Sequence, residues 1–153
     1  MELQDGIKAP SFSAVSDSEE KISLKDFEGK KVVLYCYPND DPPGCTQDAC
    51  DFRYSLNRIK RKEAVVLGVS KDDVSSHQKF KKKFGLTFPL LSDIDGEICE
   101  KYGVWKEKSM YGKKYMGIER STFIIDEKGK IKKAYYKVKV PGHVDQIIND
   151  LKV

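Results

Sequence analysis

Lys31-Val32-Val33-Leu34-Tyr35-Cys36-Tyr37-Pro38, then Asn39-Asp40-Asp41-Pro42-Pro43-Gly44, then Cys45-Thr46-Gln47-Asp48-Ala49-Cys50-Asp51-Phe52: the fold turns on this stretch. Val32 through Tyr37 are β-branched, aliphatic or aromatic apart from Cys36, and their unbroken apolar character marks a central strand buried on both faces. Pro38 ends the strand, because it brings no N–H to the ladder. Beyond the loop, apolar side chains recur at Cys45, Ala49, Phe52, Leu56 and Ile59, the spacing of one face of an α-helix. A buried strand that feeds a long amphipathic helix through a short loop is the opening of a βαβ unit.

The rest of the chain continues the alternation. Residues 64–69 read as the next strand, and Val74, His77, Phe80 and Phe84 as a second helix stopped by Gly85 in a C-terminal cap. Residues 88–91 read as a strand, and Ile94, Ile98, Cys99 and Tyr102 as a short helix ending at Gly103. Tyr111-Gly112 marks a turn, and residues 122–125 and 131–136 form a hairpin across Asp126-Glu127-Lys128-Gly129. Pro141-Gly142 precedes a last helix carrying Val144, Ile147, Ile148 and Leu151. At the other end, residues 12–15 and 21–22 flank a polar turn, a small hairpin expected to lie as a lid on the main sheet. The order predicts an α/β, thioredoxin-like fold: a central mixed sheet flanked by helices, with an N-terminal β-hairpin extension, in one domain over residues 1–153.

Composition narrows the function. The 153 residues are 39% hydrophobic, 34% charged and 10% aromatic, which excludes a disordered chain and suits one core. The longest apolar run, residues 32–37, is far shorter than the roughly 20 residues a membrane helix needs. Met1-Glu2-Leu3-Gln4-Asp5 lacks the basic-then-apolar pattern of a leader, so a cytoplasmic protein without membrane partners is expected. The net charge of +4 is uneven: residues 1–57 hold 6 Lys/Arg against 11 Asp/Glu, residues 58–153 hold 22 against 13. Runs such as Lys79-Phe80-Lys81-Lys82-Lys83 invite a nucleic-acid reading. Interleaved acids, and aromatics at core-facing spacing, favour solvated helix faces and no nucleic-acid partner. With only His77 and His143 and no Cys-x-x-Cys pair, neither a metal site nor another cofactor is expected.

Cysteine chemistry is the remaining candidate. Cys45 opens the first long helix, where unpaired backbone N–H groups and the helix dipole favour a thiolate. The preceding prolines preset φ without wasting donors, Gly44 keeps the approach to sulfur open, and the apolar stripe points Cys45 inward to a restricted pocket. Cys50 stands about 140° round that helix and about 7.5 Å along it. That separation exceeds the roughly 7 Å Cα limit for a disulfide, so the two bond only if the first turn unwinds. The pair fits either two ordinary buried thiols or an oxidation cycle in which local unfolding joins them. Cys36, in the strand, and Cys99, beside Ile98 and Tyr102, read as core residues, as do Tyr37, Phe52 and Trp105. Thr46 reads as a helix-capping or solvent-facing residue.

Tyr35-Cys36-Tyr37-Pro38 and Pro43-Gly44-Cys45-Thr46-Gln47-Asp48-Ala49-Cys50 resemble the peroxiredoxins, specifically the bacterioferritin comigratory protein or Q-type subfamily. The likeness continues through Leu67-Gly68-Val69-Ser70, Phe88-Pro89-Leu90-Leu91-Ser92-Asp93, Tyr102-Gly103-Val104-Trp105 and Gly117-Ile118-Glu119-Arg120-Ser121-Thr122-Phe123-Ile124-Ile125-Asp126, nearly the whole chain. The resemblance implies that Cys45 is the peroxidatic nucleophile, that Cys50 resolves it as an intramolecular disulfide, that Arg120 stabilises thiolate and peroxide, and that Pro38 shapes the pocket. It implies hydrogen peroxide and alkyl hydroperoxides as substrates and thioredoxin or a similar dithiol protein as reductant, without cofactor. A monomer or weak dimer is expected. Spacing alone gives no reason to single out Arg120. One departure stands out: the family motif Pro-x-x-x-Thr/Ser-x-x-Cys has Pro42 where the hydroxyl belongs. That proline supports an alternative, a thioredoxin-like redox-sensing or partner-binding module with little peroxidase turnover.

Overall fold

The computed structural model describes residues 2–151; Met1, Lys152 and Val153 of the expected domain lie outside them. In chain order the elements are β1 (Ser13–Ser16), β2 (Lys21–Ser23), a 3-10 turn (Leu24–Phe27), β3 (Lys31–Cys36), α1 (Pro43–Arg61), β4 (Ala64–Ser70) and α2 (Val74–Phe84). There follow β5 (Leu90–Ser92), α3 (Glu97–Lys101), β6 (Trp105–Met110), β7 (Lys113–Ile118), β8 (Ser121–Ile125), β9 (Ile131–Tyr135) and α4 (His143–Asp150). The main sheet runs β2-β1-β5-β4-β3-β8-β9. Strands β3, β4 and β5 are parallel, while β8 and β9 continue the sheet antiparallel beside β3.

Central placement explains the apolar run of β3. Val33, Tyr35 and Tyr37 pack with Ala49, Phe52, Leu56 and Ile59 of α1, Phe80 of α2, and Val144 and Ile147 of α4. Val32, Leu34 and Cys36 point the other way, toward Phe12, Ile98, Cys99, Tyr102 and Phe123. A strand buried on both faces cannot alternate polar with apolar. Tyr35 stacks on Phe52 with ring centroids 4.5 Å apart and on Tyr37 at 5.4 Å, making a rigid aromatic floor beneath the start of α1. Gly68, opposite Tyr35 on β4, makes room for it: an added Cβ would meet the Tyr35 ring at 3.1 Å and Leu90 at 2.9 Å.

The structure departs from the sequence reading at several elements. The N-terminal hairpin is no lid: Val15 pairs with Ser92 and Ser16 with Leu91, so β1 extends the sheet beside β5. Backbone groups that β5 would otherwise leave bare are thereby paired. Strand β5 begins at Leu90, after Pro89, and Ile94 is exposed ahead of α3 rather than part of its buried face. The Tyr111-Gly112 turn closes a separate two-stranded sheet, β6–β7, which carries exposed Met110, Tyr111, Tyr115 and Met116. Trp105 at its base is only half-buried, with the Lys71 ammonium 4.1 Å from its ring centroid. Helix α2 ends as expected on Gly85, which takes the left-handed conformation at φ 62°, and its start is capped by Asp73, which accepts from the Ser76 N–H.

Candidate active site

Helix α1 starts on two prolines. Pro42 occupies the N-cap with no side-chain cap, and Pro43 the first helical position, where a missing N–H costs nothing. The first turn is closed by the Thr46 N–H on the Pro42 carbonyl (2.9 Å) and the Thr46 hydroxyl on the Asp41 carbonyl (3.1 Å). Thr46 thus ties the turn together rather than entering the site. Cys45 lies in this turn with 2% of its surface exposed. Cys50 is a half-buried thiol further along the same unbroken helix, and all four cysteines are free. Pro38, half-buried, follows Tyr37 where β3 gives way to the loop.

Arg120 reaches Cys45 from a distant part of the chain. Strand β8 runs antiparallel to β3 with Ser121 opposite Cys36, so Arg120 steps off the strand where β3 passes into the Cys45 loop. Its Nη2 donates to Cys45 Sγ at 3.1 Å and its Nη1 to Asp48 Oδ2 at 3.2 Å. Gly44 lies directly against the guanidinium: a Cβ added there would come into van der Waals contact with Nη2 at 3.4 Å. Burial disfavours the Arg120 charge, but Cys45 and Asp48 outweigh that and hold it firmly cationic. Burial pushes the Asp48 carboxyl up to about 6, against the pull of Arg120. Asp48 Oδ1 and the Tyr35 hydroxyl are buried without a hydrogen-bond partner. Burial first, then the nearby Asp48 and Cys45, pushes the Tyr35 hydroxyl well above the ordinary phenol range.

Two charged neighbours escaped the sequence reading. Asp48 lies three residues after Cys45, so it shares the inward face with Cys45, Ala49 and Phe52. A carboxylate on an apolar stripe was its signal. Lys108 of β6 is the other: part-burial and then the adjacent Arg120 depress its pKa, while Cys45 acts in the opposite sense. Nothing local in the hairpin sequence marks it. Burial drives the thiols of Cys36 and Cys99 far above their ordinary range, which makes neither a ready nucleophile. Among the described residues no group of three or more His, Cys, Asp or Glu is arranged to hold a metal ion, and no helix is long and apolar enough to cross a membrane.

Comparisons with known proteins identify the family to which this fold belongs. Residues 6–134 match the AhpC/TSA family. A Coxiella burnetii relative bearing the peroxiredoxin bcp name is 52% identical over 151 residues, covering 99% of this chain and 100% of its own. Peroxiredoxin Bcp of Bacillus subtilis is 47% identical over 152 residues, with 99% and 97% covered. A solved structure of the Xanthomonas campestris bacterioferritin comigratory protein, described for its alkyl peroxide reduction activity, matches with a TM-score of 0.87 at 41% identity, covering 92% of this chain and 89% of that one. A buried cysteine at a helix start with an arginine on its sulfur, in a thioredoxin-like sheet of this order, is thus found in a chain that belongs to the AhpC/TSA family and, within it, to the Bcp peroxiredoxins, thiol peroxidases that act on a peroxide and draw on a thiol reductant.

Proposed function

We propose that Cys45 is the nucleophile of this peroxidase and Cys50 its resolving partner. The Cys45 thiolate attacks the O–O bond of a hydroperoxide; the bond breaks, sulfur gains OH as a sulfenic acid, and the leaving alkoxide or hydroxide takes a proton from solvent. The observation that carries this reading is the Arg120 bridge, one nitrogen on Cys45 Sγ and the other on Asp48. A guanidinium so held hydrogen-bonds the attacking sulfur and meets the negative charge that develops on the departing oxygen. The first turn of α1 then unwinds, Cys50 condenses with the sulfenic acid, and water leaves as the disulfide forms. A dithiol protein of the thioredoxin kind restores both thiols by exchange and becomes oxidised itself. Hydrogen peroxide and alkyl hydroperoxides are the substrates, Pro38 shapes the pocket, the cytoplasm is the compartment, and residues 1–153 act as one domain.

Intact-mass analysis after one equivalent of hydrogen peroxide tests this. The protein should lose two hydrogens, map the new bond to Cys45 and Cys50, and recover them with thioredoxin. Persistence of both the thiols and the peroxide would overturn the reading in favour of a partner-binding module, the alternative that Pro42 favours.

Pro42 offers neither hydroxyl nor N–H to a bound peroxide. With Arg120 already on the sulfur, Pro42→Thr is expected to raise the second-order rate of peroxide reduction by no more than about tenfold, below the effect of losing a sole oxyanion donor. A gain of several hundredfold in the same stopped-flow assay would instead place the main stabilisation on the hydroxyl.

A further inference from the structure

The loop that leads to Cys45 is anchored at one residue. The Asp40 N–H donates to Asp72 Oδ2 at 2.7 Å, and the Asp40 carboxylate accepts from the Tyr37 hydroxyl (2.7 Å), the Ser76 hydroxyl (2.7 Å) and His77 Nδ1 (2.8 Å). Asp72 is itself held by the Ser70 hydroxyl at 2.8 Å. The His77 side chain is wholly buried, and its Nε2 lies 2.9 Å from the Leu91 carbonyl of β5. A carboxylate and a carbonyl can only accept, so both ring nitrogens carry hydrogen and His77 is an imidazolium. The sequence showed only a histidine on the inner face of α2, which packing alone would explain. The structure makes it half of a buried ion pair with its hydrogen bonds satisfied, the condition under which such a pair holds.

Immediately past Asp40 the character of the loop changes. Asp41 adopts φ 77°, costly for a residue with a Cβ, and its carboxylate meets only the exposed ammonium of Lys83 at 3.0 Å. Pro42, Pro43 and Gly44 are exposed. Buried anchoring therefore ends at Asp40, just ahead of the turn that must unwind for Cys45 to reach Cys50; beyond it the chain is held by the Thr46 bonds within that turn and the exposed Lys83 pair.

We propose that the His77–Asp40 ion pair is a positioning latch for the Cys45 loop, keeping the first turn of α1 wound for peroxide attack and setting how readily it unwinds toward Cys50. The proposal rests on the Cys45–Cys50 cycle given above. The latch is sensitive to pH. Burial works against the imidazolium, but Asp40, the Leu91 carbonyl and Asp72 outweigh it and lift the His77 pKa above its ordinary 6.5. Burial likewise works against the Asp40 charge, yet His77, Ser76 and Tyr37 hold its carboxyl below its ordinary 3.8. The groups turned toward His77 are Tyr37 just past β3, Asp40 from the following loop, Asp72 from the β4–α2 loop and the Leu91 carbonyl from β5. A raised histidine pKa contributes fully below the unfolded value and is lost as pH rises through the folded one; a depressed carboxyl pKa is lost only as pH falls through its own. The latch is thus closed at mildly acidic and neutral pH and opens on the alkaline side.

Single-turnover stopped flow on the full chain separates oxidation of Cys45 from disulfide formation, measured from about pH 6 to about pH 9.5 across the histidine range. Taking the ratio of rates between His77→Gln and wild type cancels the ionisation of the attacking Cys50 thiol. The expected ratio for disulfide formation is about ten at neutral pH, converging on one at alkaline pH, while Cys45 oxidation in the variant slows by a few fold. A ratio of one at every pH overturns the latch. Asp40→Asn is expected to show the same acceleration and serves if His77→Gln does not fold. Trapping the sulfenic acid in a Cys50→Ser background separates the two proposals: no sulfenic acid at Cys45 defeats the catalytic cycle itself, whereas its normal formation with a flat ratio defeats only the latch.

Discussion

Cys45→Ser is expected to lose peroxide turnover by at least about five orders of magnitude, the scale on which removal of a catalytic nucleophile acts. Cys50→Ser is expected to consume the first equivalent as fast as wild type and to turn over only slowly after it. A serine hydroxyl stays protonated where a thiol can ionise, and Arg120 has no sulfur anion left to engage. Cys50, by contrast, stands outside the Arg120–Cys45–Asp48 cluster, so its loss should leave the first oxidation as fast as in wild type. What it removes is the intramolecular partner. Turnover with a dithiol protein should fall about a hundredfold, because a bimolecular attack on the sulfenic acid replaces one of high effective concentration. Mass analysis should find one added oxygen on Cys45 of Cys50→Ser. Undiminished turnover by that variant would remove Cys50 from the cycle, and the deeply buried Cys36 and Cys99 would be poor replacements.

Arg120→Met should lower the second-order rate of peroxide reduction by about a thousandfold, equivalent to about 4 kcal/mol of lost transition-state stabilisation. The same substitution strands the Asp48 carboxyl, whose side chain is 1% exposed and whose one hydrogen bond among the described residues is to Arg120. A buried carboxylate without its partner is strongly destabilising, but this one already titrates at about 6 and can escape by taking a proton, so a loss of up to about 3 kcal/mol is expected. Arg120→Met with Asp48→Asn separates the two effects. The double variant should recover most of the thermal stability and none of the rate. If the rate returns together with Tm, Arg120 supports the fold and not the reaction; if Arg120→Met alone keeps its rate within tenfold of wild type, the charge beside the sulfur is not the main source of acceleration.

The strand, loop and helix from Lys31 to Ile59 were legible because both periodicities are intact there: continuous burial in β3, and a 3.6-residue stripe in α1 that places Cys45 inward. The docking of β1 onto β5 was not, because edge pairing is made by backbone groups that every residue carries. Ile94 misled for a different reason: an apolar residue at helical spacing need not be covered when the helix begins only at Glu97. Asp48 is legible only from its place on the buried face of α1, because the periodicity that marks that face is carried by apolar residues and a carboxylate does not add to it.

Local order along the chain therefore determined the sheet-and-helix alternation, the position of Cys45 at a helix start, and the mismatch of Cys45 and Cys50 on an intact helix, all consequences of backbone periodicity over a few turns. Family likeness in the sequence pointed to Arg120, but its physical role could not be derived from spacing, because 75 residues separate it from Cys45. The same holds for Asp40 and His77, 37 residues apart, whose partnership exists because β3 and β4 lie side by side and bring the loop after β3 against the start of α2. Charge pairing across such distances depends on strand order and register, and these are settled by the whole sheet at once.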